Sequence, residues 1–188
     1  MKFLISAVFS VVLLSACADI PVNISSKEYA ANCRQAERRK NFTLAEQECD
    51  MALKKSDWGD NPKIKSQHLY NSGRIKLHLA KFSEAEFLLN VSLQIEEMLT
   101  SPSKTVGLRL IDLSDSLAGQ NKWLEGAPYL ARVLPIAPQY SKQERARIGA
   151  LLLLYSRQLI TLKQNALAKR FKNTAKIIVD NDTYSFRN

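Results

Sequence analysis

Few residues in this chain are equipped for covalent or acid–base chemistry. Among its 188 residues are three cysteines, Cys17, Cys33 and Cys49, and two histidines, His68 and His78. A thiol can be acylated, join in a disulfide or ligate a metal, and an imidazole can ligate or carry a proton. The histidines stand ten residues apart with no ligand cluster around them, which is not the spacing of a metal site. No glycine-rich phosphate loop and no Ser-His-Asp or Cys-His arrangement occurs. Glu96-Glu97 is the one adjacent acidic pair, and it reads as a solvated helix face. These residues point to a non-enzymatic protein with no catalytic residue, no cofactor and no metal.

Cys17 sits in the most informative context. Lys2 is followed by an apolar stretch from Phe3 to Leu14, broken only by Ser6 and Ser10, and then by Ser15-Ala16-Cys17. A charged start, a short apolar core and a small-residue exit form a secretory signal peptide. The core of 12 residues falls short of the roughly 20 that a membrane span requires. Leu14-Ser15-Ala16-Cys17 also resembles the bacterial lipobox. That resemblance implies a diacylglycerol thioether on Cys17, cleavage before it and acylation of its amine. Each buried methylene contributes about 0.8 kcal/mol, so two or three acyl chains make release negligible. In such lipoproteins an aspartate directly after the cysteine retains the protein at the inner membrane; here that place holds Ala18, with Asp19 one later. The expected location is the outer membrane, anchored on its periplasmic face. Residues 1–16 are read as signal peptide and 17–25 as the lipidated N-terminus and linker.

Removal of residues 1–16 leaves 172 residues, enough for one domain with a core. Lys2 goes with them, leaving 26 Lys and Arg against 18 acids, a net charge of +8. Export argues against nucleic acid as the partner of this excess base. Anionic lipid, polyanionic cell-wall material and an acidic protein remain open. The bases gather at Arg34, Arg38, Arg39 and Lys40, and again at Lys163, Lys169, Arg170, Lys172 and Lys176, although such runs are often only solvated helix faces.

The elements that position these residues are helical. Six glycines, six prolines and few β-branched runs disfavour sheet. Lys81-Phe82-Ser83-Glu84-Ala85 and Lys122-Trp123-Leu124-Glu125-Gly126 lie 41 residues apart. Phe42, with Ala45, Cys49 and Ala52, stands one period earlier, and Gln164, with Leu167, Phe171 and Ala175, one period later. Each motif follows a first helix, for example Leu69, Ser72, Gly73 and Lys76 before Phe82. Ser25-x-x-Glu28, Thr43-x-x-Glu46, Ser83-x-x-Glu86 and Ser141-x-x-Glu144 read as capping boxes, and Asn61-Pro62 as a cap with proline at the first helical position. Turns between units fall at residues 57–61 and 99–103.

Tyr70-Asn71-Ser72-Gly73 and Phe82-Ser83-Glu84-Ala85 resemble the two signature runs of the tetratricopeptide repeat. The resemblance implies an all-α solenoid of about four helix pairs, spanning residues 26–179, with a tail at 180–188. Gly73 and Ala85 would let paired helices approach closely. Pro128 and Pro135 depart from the pattern and predict a second helix that starts late, near Gly126, or kinks. Gln164 and Leu167 depart at a terminal unit, where capping relaxes the pattern. The apolar run from Gly149 to Tyr155 predicts a helix buried on most sides.

Two sets of site residues follow. Cys33 and Cys49 fall mid-helix on the inside of the first hairpin, and once Cys17 is lipidated they form an even pair in an oxidising compartment. A disulfide is expected, with two small buried hydrophobes as the alternative. The first helices of such a stack line a concave groove, placing Arg34, Glu37 and Arg38, then Gln67, Tyr70, Arg74, Leu77 and His78, then Leu108, Ile111, Asp115, Leu152, Ser156, Leu159 and Ile160 along it. That groove would take a peptide with an acidic group near Arg34, Arg38 and Arg74 and an apolar part further on, unless the arginines are merely solvated and the late apolar positions pack on the C-terminal tail. The expected function is a membrane-anchored adaptor or assembly factor for envelope proteins. A basic lipoprotein bound to cell-wall polyanion, and an auxiliary subunit or regulator of a cell-wall enzyme, are the alternatives.

Overall fold

The structure, a computed structural model, describes residues 24–56 and 61–184, with side chains as far as Val179. The expected signal peptide, Cys17, most of the linker and most of the turn at 57–61 lie outside the described residues. Among the described residues eight α-helices pair as four successive hairpins: α1 (Ser26–Arg38) with α2 (Phe42–Lys54), α3 (Pro62–His78) with α4 (Phe82–Met98), α5 (Ser103–Gly119) with α6 (Trp123–Val133), and α7 (Lys142–Thr161) with α8 (Asn165–Tyr184). Among the described residues there is no strand. α8 continues to Tyr184, so the chain stays helical past Asp180, where the tail was expected to begin.

The hairpins share one turn. Lys40, Ala80, Asn121 and Lys163 all have positive φ, between 56° and 60°. The amide after each donates back five residues, Asn41 N to Ala36 O, Lys81 N to Lys76 O, Lys122 N to Leu117 O and Gln164 N to Leu159 O. This is the Schellman closure, which satisfies carbonyls left over at a helix end. It sets where each second helix begins, and so moves two expected caps. α2 starts at Phe42 behind Asn41, whose side chain accepts from Leu44 N, and α4 starts at Phe82 with no side-chain cap. Thr43 and Ser83 thus lie inside the first turn, and Glu46 and Glu86 turn outward to other partners. Ser25–Glu28 and Ser141–Glu144 form complete capping boxes, and Asn61 caps α3 through Lys63 N and Ile64 N.

The prolines act differently from the expectation. α6 begins at Trp123, not near Gly126, and carries Pro128 inside it. It ends before Pro135, 11 residues long against 17 for α4, and a 3-10 turn over Ala137–Gln139 leads to α7. The price of Pro128 is one backbone bond near the start of a short helix.

Two cores result. A large one runs from Tyr70 through Leu89, Leu110 and Leu130 to Leu152, Leu159, Phe171 and Ile178, and a small one gathers Cys33, Ala36, Ala45, Cys49 and Ile75. Close approach is real at Gly73, where an added Cβ would stand 2.8 Å from Leu89 Cγ. Tyr155 ties the third and fourth hairpins, donating to Ser114 O at 2.6 Å with its ring edge-on to Trp123 and Phe171. The run from Gly149 to Tyr155 is not buried all round: Gly149, Leu151, Leu152 and Tyr155 face inward, and Leu153 and Leu154 face out. In the first hairpin Cys33 and Cys49 are joined in a disulfide across α1 and α2, with Cα atoms 5.1 Å apart.

Candidate functional site

The first helices α3, α5 and α7 face a concave cleft of about 750 Å³. Tyr70, Arg74, Leu77 and His78 come from α3, Leu108, Asp112 and Asp115 from α5, and Gln143, Glu144 and Arg147 from α7, with Phe82 at one end. One-turn spacings on each helix place these side chains on a single face.

A charged network occupies the floor. Tyr70 is buried and donates to Asp112 Oδ2 at 2.7 Å. Its ring lies beneath the guanidinium of Arg109 at 4.1 Å, with that of Arg74 at 5.4 Å. Burial, with Asp112 beside it, pushes the Tyr70 phenol well above its ordinary value, so it acts as a donor and not as a phenolate. Arg147 reaches across from α7 to Asp112 Oδ1 at 2.5 Å and Asp115 Oδ2 at 3.0 Å. Asp112 Oδ1 nevertheless has no aligned hydrogen-bond donor, although it is buried. Arg74 is engaged by Glu37 of α1. His78 stacks on Phe42 with ring centroids 4.4 Å apart, and burial, partly offset by Glu37, holds its imidazole below the ordinary value, so it is neutral at pH 7.

Behind the floor lies a buried ion pair. Glu96 accepts from Ser66 Oγ at 2.6 Å and pairs with Arg109 at 3.0 Å, both side chains almost fully buried. Glu96 is therefore not on a solvated face; only Glu97 is, paired with Arg132. Burial pushes the Glu96 carboxyl up, but Ser101, Ser66 and Arg109 hold it below its ordinary value. This pair fixes Arg109 over the Tyr70 ring and so positions the network.

Of the expected groove residues, Tyr70, Arg74 and His78 come together in the cleft with Leu77, Leu108 and Asp115. Arg34 and Arg38 do not line it; they are exposed on α1, and the neighbouring Glu37 takes Arg74. An acidic group held jointly by Arg34, Arg38 and Arg74 is thus not what this geometry offers. Ile111, Leu152, Ser156 and Leu159 are core and not groove: Ser156 Oγ donates to Ala168 O at 2.9 Å, and both leucines are in the large core. Ile160 is exposed away from the cleft. The trend from basic to apolar along the groove does not hold. Asp112 and Arg147, absent from the sequence reading, are its most engaged charges. Their only sequence signal is that Asp112 stands one repeat after Asn71, in the aromatic-Asn run. Among the described residues no three His, Cys, Asp or Glu are placed to hold a metal ion.

These features define an α-helical repeat solenoid of tetratricopeptide-like form with a polar concave cleft. No family model and no curated protein matches the chain. Among solved structures it is similar to a Rap protein complexed with competence and sporulation factor, with a TM-score of 0.63, 17% sequence identity and 83% of this chain covered. The likeness is one of fold, and the match spans 43% of that protein's chain.

Proposed function

We propose that the chain is a non-enzymatic adaptor that holds a protein partner in the α3–α5–α7 cleft, carried on a membrane of the bacterial envelope by lipid on Cys17. The cleft carries the reading. It is long enough to span three helices, and it holds fixed charges of both signs. Arg147 and Asp115, both part-exposed, line it and leave a cation and a carboxylate accessible to polar groups of a bound segment. The likeness to a Rap protein solved with a bound factor supports the same use of a fold of this kind. The lipobox residues support the anchor, and Ala18 after Cys17 favours the outer membrane.

Crosslinking in the cells that make the protein tests the adaptor. The expected outcome is a protein enriched over a lipidated control, with recovery cut at least tenfold by Arg147→Glu or Asp115→Lys in folded protein. No enrichment, or recovery indifferent to both changes, sinks it. For the anchor, acyl labelling that vanishes in Cys17→Ser is expected, with the wild type in the outer-membrane fraction. An unlabelled, unattached wild type would refute that part alone.

A further inference from the structure

α1 carries bases that the fold does not use. Lys27, Ala31, Arg34 and Arg38 stand at i, i+4, i+7 and i+11, within about 60° of one another around the helix, and all four are exposed. The other side of α1, with Ala30, Cys33 and Ala36, is buried, and the Cys33–Cys49 bridge pins it to α2. Lys76, Arg109 and Arg147, on the later first helices, each meet a carboxylate. Lys27, Arg34 and Arg38 enter no ion pair among the described residues. The two acids of α1 are engaged elsewhere. Glu28 accepts from Ser25 N and Ser25 Oγ, each at 2.8 Å, and Glu37 holds Arg74. The row is therefore a straight line of uncompensated cations, and Arg39 and Lys40 add exposed charge at its end.

The position of α1 in the chain decides what this row meets, given the lipid-anchor reading on which the inference rests. Attraction to a charged surface fades within a Debye length, about 8 Å at physiological salt, so only bases brought to that surface feel it. Seven residues separate Cys17 from Ser25, a reach of at most about 28 Å when fully extended. α1 itself, 13 residues long, spans about 20 Å. A lipid on Cys17 thus delivers α1 to the bilayer before any other described helix, with slack enough for it to lie along the surface. The row has only Ala31 between its cations, so it offers an amphipathic protein helix no apolar anchor. A plane of anionic headgroups needs none. Lys169, Lys172 and Lys176 make a comparable row on α8, but they stand in the last hairpin, three units from the anchor. We propose that the Lys27–Arg34–Arg38 face of α1 docks on the anionic lipid headgroups of the membrane that holds Cys17, a second contact that fixes the attitude of the stack on the bilayer.

The mature lipidated protein, inserted in vesicles of phosphatidylcholine with or without phosphatidylglycerol, tests this. A fluorescent amino acid at Ala31, and separately at exposed Ala166 of α8, reports energy transfer to headgroup-labelled lipid. Transfer from Ala31 should rise at least threefold when phosphatidylglycerol is present, and transfer from Ala166 should not follow it. Lys27→Glu with Arg34→Glu and Arg38→Glu should abolish the rise with helicity unchanged, and Arg34→Gln with Arg38→Gln should reduce it. Lys169→Glu with Lys172→Glu should leave it unaltered. Protein that comes from its cells without acyl groups on Cys17 would refute the anchor, and the docking with it. Lipidated protein that stays on both kinds of vesicle, but whose Ala31 signal ignores phosphatidylglycerol or the charge reversals, would overturn the docking alone. So would a row that ignores the vesicles and instead retains purified cell-wall polyanion, with retention lost in the triple variant.

Discussion

α1 and α2 meet through Cys33, Ala36, Ala45 and Cys49, whereas α7 and α8 meet through Leu152, Tyr155, Leu159, Phe171 and Ile178. The same turn closes both hairpins, but what holds them is different. Alanine and cysteine bring the first pair close while burying little apolar area, and hydrophobic stabilisation scales with that area at about 25 cal/mol per Å². The disulfide compensates by restricting the unfolded chain, and it has no counterpart in the last hairpin. The last hairpin buries large side chains and has apolar surface to spare, which it turns outward at Leu153, Leu154 and Ile177. The first hairpin is held covalently, and the last by the packing of large side chains.

Core truncation should have the largest effect. Phe171 is fully buried between Tyr155 and the rest of the large core. Phe171→Ala should cost about 3–5 kcal/mol, through lost transfer energy and the cavity left behind. Urea unfolding followed by circular dichroism measures it. A loss of about 1 kcal/mol or less would mean that the last hairpin does not rest on its side chains.

Cys33→Ser with Cys49→Ser should come next. The bridge closes a loop with a sequence separation of 16. In the chain-entropy model a loop of about 15 residues is worth about 3 kcal/mol. The loss should be local: amide exchange should accelerate across α1 and α2 and stay unchanged across α5 to α8. Uniform acceleration would show that the small core is not a separate unit.

The shared turn predicts a smaller, symmetric effect. Lys40 and Lys163 hold positive φ, which costs an L-residue roughly 1–2 kcal/mol that glycine avoids. Glycine loses about half of that advantage to backbone entropy. Lys40→Gly and Lys163→Gly should therefore each stabilise by about 0.5–1 kcal/mol. Thermal melts check this, and a gain at one end only would show that the two turns are not equivalent.

How far the sequence carried can be judged from these same elements. The hairpins were legible because Phe42, Phe82, Trp123 and Gln164 recur at a fixed period, and aromatic and small residues have local packing roles. Helix starts were less so, because Thr43-x-x-Glu46 and Ser83-x-x-Glu86 satisfy the capping pattern while the Schellman turn before them fixes the start two residues earlier. The cleft was half legible. Periodicity put Tyr70, Arg74 and His78 on one face, but could not say that Leu152 and Leu159 would turn from the groove toward α8. The charges were least legible. Tyr70–Asp112 and Arg147–Asp115 join residues more than thirty positions apart, and Glu96–Arg109 joins two different helices. No local pattern distinguishes a buried ion pair from two solvated side chains.

Acid should produce the smallest difference between the ends, and its sign follows from the carboxylates. Hydrogen bonds from Lys76 and Lys81 hold Glu46 below its ordinary value of 4.5. Burial pushes Glu86 up, but Lys122 and Gln120 hold it below the same value. A carboxyl with a depressed folded value contributes stability above its unfolded value and loses it as pH falls through the folded one. The contribution of both groups is therefore present at neutral pH and fades below about pH 4.5. The corresponding position on α8 is Ala168, so the last hairpin has no such contribution to lose. The cap glutamates Glu28 of α1 and Glu144 of α7 are both lowered by Ser25 and Ser141, and they offset one another in the comparison. Protection of α1 to α4 should thus fall faster than that of α7 and α8 as pH drops from 5 to 3, when exchange is corrected for its intrinsic rate. Glu46→Gln should remove most of the difference across α2 and α3. If α7 and α8 open first in acid, the polar boundaries do not hold the early hairpins together, and the contrast between the two ends rests on packing and the disulfide alone.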